Sequence, residues 1–182
     1  GDVFDDSATK EDRDTADRAF QMMEEEGIWF LYILGNHECE RGNRLLQRWE
    51  DAGVAVHLDQ EGVPLDGGVR VRGYDYDGRV DFSVADMGLP DVLINSTDIL
   101  LLHQTLGPFH DEHDVDLDKI NAGTAGGFEY VFSGHIHDPE QKDWDGGEFV
   151  YTGSTEDLST KPAPSDPSVW FLSIDEGEVR SP

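Results

Sequence analysis

Four polar stretches hold most of the side chains that could do chemistry. Three of them arrive where an apolar run stops. Ile28 to Leu34 runs into Gly35-Asn36-His37-Glu38. Ile99 to Leu102 runs into His103, and Tyr130 to Ser133 runs into Gly134-His135-Ile136-His137. The fourth, Gly1-Asp2-Val3-Phe4-Asp5-Asp6, has the same character with no strand before it. In open α/β sheets ligands sit beyond the carboxyl ends of strands, so these loops are expected to converge. Pooled, Asp2, Asn36, His37, His103, His135 and His137 supply a carboxylate, an amide oxygen and imidazoles. Such a mixed oxygen and nitrogen set suits a borderline first-row cation, Mn, Fe or Zn, better than Ca or a soft metal. Two such ions held about 3.5–4 Å apart stabilise the attacking and leaving oxygens of a phosphoryl displacement.

The elements that must position these loops follow from periodicity and caps. Residues 9 to 26 are expected as a helix, with Thr9 and Asp12 as a cap and Ala16, Ala19, Phe20 and Met23 on one face. Gly27 ends it, and Ile28 to Leu34 follows as a buried strand that takes Trp29, Phe30 and Tyr32 into the core. A second helix is expected over 41 to 52, with Leu45, Leu46, Trp49 and Ala52 inward and Gly53 as its stop. Further strands are expected at Val54 to Leu58, at Val69 to Arg72 (half exposed, its arginines outward), at Asp98 to His103 and at Tyr130 to Ser133. Phe149 to Thr152 and Val169 to Ile174 complete the set. Residues 81 to 95 are ambiguous, 116 to 125 read as a helix, and 161 to 168, with three prolines, as a loop. Alternating strands and helices imply an α/β domain. The late strands, with no helix between them, imply a second, more antiparallel sheet facing the first.

Composition bounds the function. Of 182 residues 40 are acidic and 13 are Lys or Arg, a formal net charge of −27. Aromatic residues are 10%, which argues against a disordered acidic tail. A basic nucleic-acid coat and a membrane span are excluded, since no apolar run approaches the roughly 20 residues a span needs. The acids are spread along the whole chain, which favours adaptation to a salt-rich cytoplasm, where screening shortens to about 3 Å at molar salt. The lone Cys39 fits a reducing compartment and reads as an ordinary small residue.

Several residues are weighed as bland. His57 reads as packing or surface, and His110 and His113 as loop. Asp111, Glu112, Asp114 and Asp116 read as a solvated acidic loop. Arg41, Arg44 and Arg48 form one basic helix face, open between guiding a phosphate backbone and pairing with acids such as Glu40 and Glu50.

In order, Gly-Asp, Gly-Asn-His-Glu, His and Gly-His-Ile-His make a set that resembles the calcineurin-like metallophosphoesterase superfamily. The set runs from Asp2 to His137. The resemblance implies a single domain over 1–182, with two facing mixed β-sheets flanked by helices, an α/β/β/α sandwich. It implies two divalent metal ions, Mn2+ first and Fe or Zn as alternatives. Asp2 is then the carboxylate bridging both ions, Asn36, His103 and His135 further ligands of one, and His137 a ligand of the other. His37 contacts the scissile phosphate or protonates the leaving oxygen, and Glu38 orients His37. The family's Asp-x-His motif is absent, and its place lies upstream of Asp2. The expectation is therefore an N-terminally truncated domain whose first strands are missing.

Val150-Tyr151-Thr152-Gly153-Ser154-Thr155-Glu156 and the opening Gly-Asp-Val-Phe-Asp are similar to nucleases of the SbcD type, subunits of the double-strand-break-repair complex. That likeness implies a DNA repair exonuclease or endonuclease in the cytoplasm, with DNA, a partner ATPase and a homodimer as its associations and no membrane. The alternatives are a phosphatase or phosphodiesterase for nucleotides and other small phosphoesters, or a non-catalytic scaffold that has lost one metal site.

Overall fold

Thr9 opens the first helix as its spacing predicts. Its hydroxyl accepts the Asp12 N–H at 3.3 Å, and the Asp12 carboxylate accepts the Thr9 N–H at 2.7 Å. Helix α1 then runs Lys10–Glu26 and ends at Gly27, whose φ of 67° is left-handed. The Ile28 N–H bonds back to the Met23 carbonyl at 2.8 Å, which commits Ile28 to the helix cap. The strand therefore starts later than the apolar run suggests. β1 is Phe30–Tyr32, and Ile28 and Trp29 are exposed rather than core. In this computed structural model, residues 1–4, 7–38, 40–78, 87, 97–107, 109–110, 114–116, 128–144, 147–155, 167–175 and 178–180 are described.

Helix α2, Glu40–Asp51, packs Leu45, Leu46 and Trp49 against α1 and β1. Ala52 and, on α1, Ala19 are exposed, off the faces assigned to them. Asp17 joins the two helices, accepting the Trp49 indole N–H at 2.9 Å and pairing with Arg48. So Arg48 finds its acid on α1, whereas Glu50 accepts the His57 N–H at 3.0 Å. The side chain of Arg41 lies outside the described residues.

β2, Ala55–His57, pairs in parallel with β1. The main sheet has β3 (Val63–Pro64), β4 (Arg70–Gly73), β5 (Asp98–Leu102), β8 (Tyr130–Ser133), β9 (Glu140–Trp144) and β10 (Gly147–Tyr151), in the order β3-β4-β5-β8-β10-β9. The four central strands run parallel, and β3 and β9 close the edges antiparallel. Short pairs form between β6 (Leu106–Gly107) and β7 (Val115–Asp116), and between β11 (Ser173–Asp175) and β12 (Glu178–Arg180).

Side-chain alternation sorts these strands into layers. Along β1 and just past it, Phe30, Tyr32 and Leu34 face the helices, while Leu31 and Ile33 face the main sheet. On β5 and β8, Ile99, Leu101, Tyr130 and Phe132 meet Leu31 and Ile33 between the two sheets. Leu100, Leu102, Val131, Phe149 and Tyr151 point the other way, into a core shared with Met87, Leu106, Val115 and Phe128. The fold is thus mixed α/β, with a multi-strand mixed sheet and few helices. At Gly73 the packing is close: a Cβ there would lie 2.4 Å from Leu58 Cβ and 2.5 Å from Ile33 Cγ2.

Four expectations change. Of the late strands, β10 joins β4 and β5 in one sheet through β8, which pairs directly with β5, instead of forming a sheet of its own, while β11 pairs antiparallel with β12 apart from that sheet. β9 is an addition to the expected strands; its Glu-Gln-Lys-Asp-Trp sequence has no apolar alternation, as suits a charged edge strand. Arg72 is buried, not half exposed, because Asp98 on the neighbouring strand receives it. Trp170 and Leu172 pack inward beside exposed Val169 and Phe171, and regular pairing begins only at Ser173. Of the segment 81–95 only Met87 is described, and of the expected helix 116–125 only Asp116, which ends β7. Cys39, Asp111, Glu112, His113 and most of 161–168 lie outside the described residues.

Candidate metal centre

β1, β4, β5 and β8 each end in a polar loop, and these ends lie together. His103 follows β5 and is 2% exposed. Its Nε2 lies 3.0 Å from Asn36 Oδ1 and 2.9 Å from Asp2 Oδ2. His135 Nδ1 lies 2.9 Å from the same Asn36 oxygen. Asn36 thus joins two imidazoles from adjacent strands, and Asp2 closes the group from the N-terminal loop. Asp2 and His135 both hold left-handed backbone, φ 57° and 73°. Such conformations are uncommon away from glycine and collect at functional sites.

Two glycines make the approach possible. A Cβ at Gly35 would meet Asp2 Oδ1 at 2.1 Å and the Asp2 nitrogen at 2.6 Å. At Gly134 it would meet His103 Nδ1 at 2.7 Å. Beneath this point Ser133 Oγ accepts the Gln104 N–H at 3.1 Å and donates to the Gln104 carbonyl at 2.8 Å, locking the ends of β5 and β8 together.

Burial acts to raise the Asp2 carboxyl. The His103 ring, the His37 N–H at 2.8 Å and the charges of both histidines outweigh it and bring the group down to about 2. Burial, then the neighbouring His103 ring, pushes His135 below its ordinary value. The result is an ionised carboxylate beside an imidazole kept neutral with a lone pair to give.

These residues fit a divalent cation. The spacings of 2.9, 3.0 and 2.9 Å among Asp2, His103, Asn36 and His135 match adjacent corners of an octahedron. With metal–ligand bonds of about 2.1 Å such an edge is about 3.0 Å. Among the described residues no three His, Cys, Asp or Glu side chains are arranged to hold an ion by themselves. The Asn36 amide oxygen lies within 3.0 Å of both imidazoles and adds an oxygen donor to the carboxylate and the rings. His103 Nδ1 is buried with no hydrogen-bond partner among the described residues.

The remaining candidates are placed around this cluster in different ways. His37 is exposed and gives its backbone N–H to Asp2. His137 is exposed, its carbonyl accepts the Ser154 N–H at 3.1 Å, and its ring joins none of the contacts above. Glu38 lies under the loops and accepts backbone N–H groups from both.

Two further residues belong to the surroundings. Tyr76 stacks on His135 at 5.6 Å and meets His103 edge-on at 6.2 Å. Asp75 accepts the Leu34 N–H at 2.7 Å and holds His57 Nε2 at 2.9 and 3.0 Å. Both follow β4 in a Tyr-Asp-Tyr-Asp-Gly loop, the same strand-then-polar pattern that marks the other loops.

His57, stacked on Tyr32 at 5.0 Å, is raised above its ordinary pKa by the Asp75 hydrogen bond, against the effect of burial, with the charges of Asp75, Glu50 and Asp59 adding. The pair therefore contributes stability below the unfolded value of about 6.5 and loses it as pH rises through the higher folded value. Urea unfolding should show stability falling from pH 6 towards pH 9, by less than about 1 kcal/mol since both side chains are over a third exposed. In His57→Gln that slope should flatten. An unchanged slope would show that His57 does not titrate against Asp75.

A fold of this layering, with oxygen and nitrogen donors gathered at the carboxyl ends of its strands, places a ligand site there. Residues 1–139 match the calcineurin-like phosphoesterase family, and the chain belongs to it. The DNA double-strand break repair protein Mre11 of Haloferax volcanii is 31% identical over 141 residues, 78% of this chain. The chain spans 31% of that relative's length. The crystal structure of TT1561 of Thermus thermophilus shares the fold, with a TM-score of 0.57 at 11% identity over 84% of this chain and 74% of the other. Among the described residues no helix is long and apolar enough to cross a membrane.

Proposed function

We propose that this chain is a metal-dependent phosphodiesterase acting on DNA in strand-break repair, its single domain spanning 1–182. The observation that carries the reading is the convergence of Asp2, Asn36, His103 and His135 on one point. The likeness to a DNA double-strand break repair protein supports DNA as the substrate. A homodimer, a partner ATPase and a cytoplasmic setting belong to this proposal through the motif resemblance to SbcD-type nucleases. Two divalent ions, Mn2+ first, would supply Lewis acidity and an activated water when bound. Asp2, Asn36, His103 and His135 would hold one of them, and Asp2 with His137 would serve the second.

The chain's own groups do the rest. Asp2 offers a charged carboxylate because its proton is lost near pH 2. His135 offers a lone pair because burial disfavours its charged form. His37, exposed beside Asp2, holds the proton for the departing oxygen. His37→Ala keeps the backbone N–H to Asp2, so Mn2+ affinity should hold while kcat falls by about 10²–10⁴-fold. Isothermal titration with Mn2+ and hydrolysis of a DNA duplex measure the two. Turnover unaffected by His37→Ala, or by chelation with EDTA, would sink the mechanism.

The net charge of −27 favours a second reading, hydrolysis of nucleotides or other small phosphoesters, because an acidic surface repels long DNA. Cleavage of p-nitrophenyl phosphodiesters but not of DNA would select it. A chain that binds one ion without turnover would be the scaffold instead.

A further inference from the structure

Among the described residues near the cluster, Glu38 accepts four backbone N–H groups, more than any other side chain there. Its Oε2 accepts the Asp2 N–H at 2.8 Å and the Gly35 N–H. Its Oε1 accepts the Val3 N–H and, at 3.2 Å, the Phe4 N–H. One carboxylate thus gathers three successive N–H groups of the N-terminal loop and one from the loop after β1. Each carboxylate oxygen accepts two donors, which uses the acceptor sites such a group offers.

We infer that Glu38 is a positioning residue that acts through Asp2, by pinning the Asp2–Phe4 loop against Gly35. The inference rests on the metal-binding reading of the cluster. Asp2 sits in left-handed backbone, which costs energy and needs surrounding bonds to hold it. Asp2 is also the donor whose carboxylate must meet His103 Nε2 at 2.9 Å. The Asp2 N–H and the Gly35 N–H share one Glu38 oxygen, and Asp2 Oδ1 takes the N–H of His37 two residues beyond Gly35. The two loops therefore hold each other at both ends of Asp2. Phe4 is 3% exposed and packs among Phe20, Tyr32 and Leu46, so the clamp also ties the site to the helical layer.

Glu38→Gln separates this role from one exerted on the His37 ring. The amide is the same size but turns an NH2 group towards one pair of backbone donors, so two of the four bonds are lost. Amide hydrogen exchange on the metal-free protein should quicken at least tenfold at Asp2, Val3, Phe4 and Gly35 and stay unchanged in β5 and β8. Mn2+ affinity by titration should fall about 10–100-fold, the usual effect of removing a residue that orients a ligand. At saturating Mn2+ kcat should recover most of its wild-type value. Unchanged exchange and Mn2+ affinity with a lost kcat would overturn the clamp and assign Glu38 to His37. If Glu38→Gln does not fold, Glu38→Asp, which keeps the charge but shortens the reach, is read the same way against the same outcomes. A wild-type chain that binds no divalent ion, with exchange still quickened in the variant, would leave the clamp standing and remove the metal reading beneath it.

Discussion

Gly35→Ala should remove the divalent-metal site while leaving the fold standing. The added methyl carbon would sit 2.1 Å from Asp2 Oδ1, 2.7 Å from Asp2 Cγ and 2.6 Å from the Asp2 nitrogen. A carboxylate alone could rotate away, but the Asp2 nitrogen is backbone and the whole residue must move. A displacement of about 1 Å breaks the contact with His103 Nε2 and the bond from the His37 N–H together. Misplacement on that scale costs about 10²-fold in turnover. Mn2+ affinity should fall by at least the 10–100-fold seen when ligand orientation is lost. The three atoms nearest this methyl all belong to Asp2, in the N-terminal loop rather than a strand or helix, so the urea midpoint should move little. Titration with Mn2+ beside an unfolding curve checks both halves. Retained affinity would mean that Asp2 is not a ligand.

The polar cluster is legible because its residue types sit in local pattern. An apolar strand, a glycine and then Asn-His or His-x-His can be read without knowing the fold, and that pattern picks out Asn36 and His135; His103 follows its apolar strand directly, and Asp2 sits in a loop of the same character. Tyr76 carries the same signal, a strand giving way to a polar loop, but an aromatic beside aspartates reads as a turn. Glu38's bonds cannot be read at all. They depend on the directions of four backbone N–H groups, which no residue pattern encodes. The approach at Gly35 has the same character, since only the path of the neighbouring loop explains why a side chain is excluded.

The fold divides along the same line. β5 and β8 are legible almost to the residue because Ile99 to Leu102 and Tyr130 to Ser133 are buried on both faces and cannot be surface. β1 starts two residues later than apolarity suggests because the cap bond from Ile28 to Met23 competes with strand pairing. Strand order is illegible for a deeper reason. Whether Tyr130 to Ser133 pairs with Asp98 to Leu102 depends on the crossover between them, not on either segment. β9 escapes a reading by hydrophobic pattern because an edge strand needs no apolar face and its charges protect it from other chains.

The largest stability effect should come from Asp98→Ala. Asp98 lies on β5 and is 1% exposed, and Arg72 on β4 is 4% exposed. Arg72 Nε donates to Asp98 Oδ2 at 2.7 Å, and Nη1 donates to the Gln60 and Glu61 carbonyls at 2.6 and 3.0 Å. Removing the carboxylate leaves a guanidinium in the core with its charge uncompensated, a loss of about 3–5 kcal/mol. For a chain of this length that is roughly 6–20 °C in Tm, at about 2–4 °C per kcal/mol. The urea midpoint should shift with the slope unchanged. The pair itself is a different matter, because both ions gave up water to meet and Asp98 Oδ1 has no partner among the described residues. Arg72→Met combined with Asp98→Leu should therefore regain most of the loss. A single-variant cost under about 1 kcal/mol would show that water reaches the guanidinium. Salt sharpens the reading, since a charge of −27 spread over the surface responds strongly to KCl while a dry pair does not. The cost of Asp98→Ala should be the same in low and molar KCl, even where the stability of the whole chain is not.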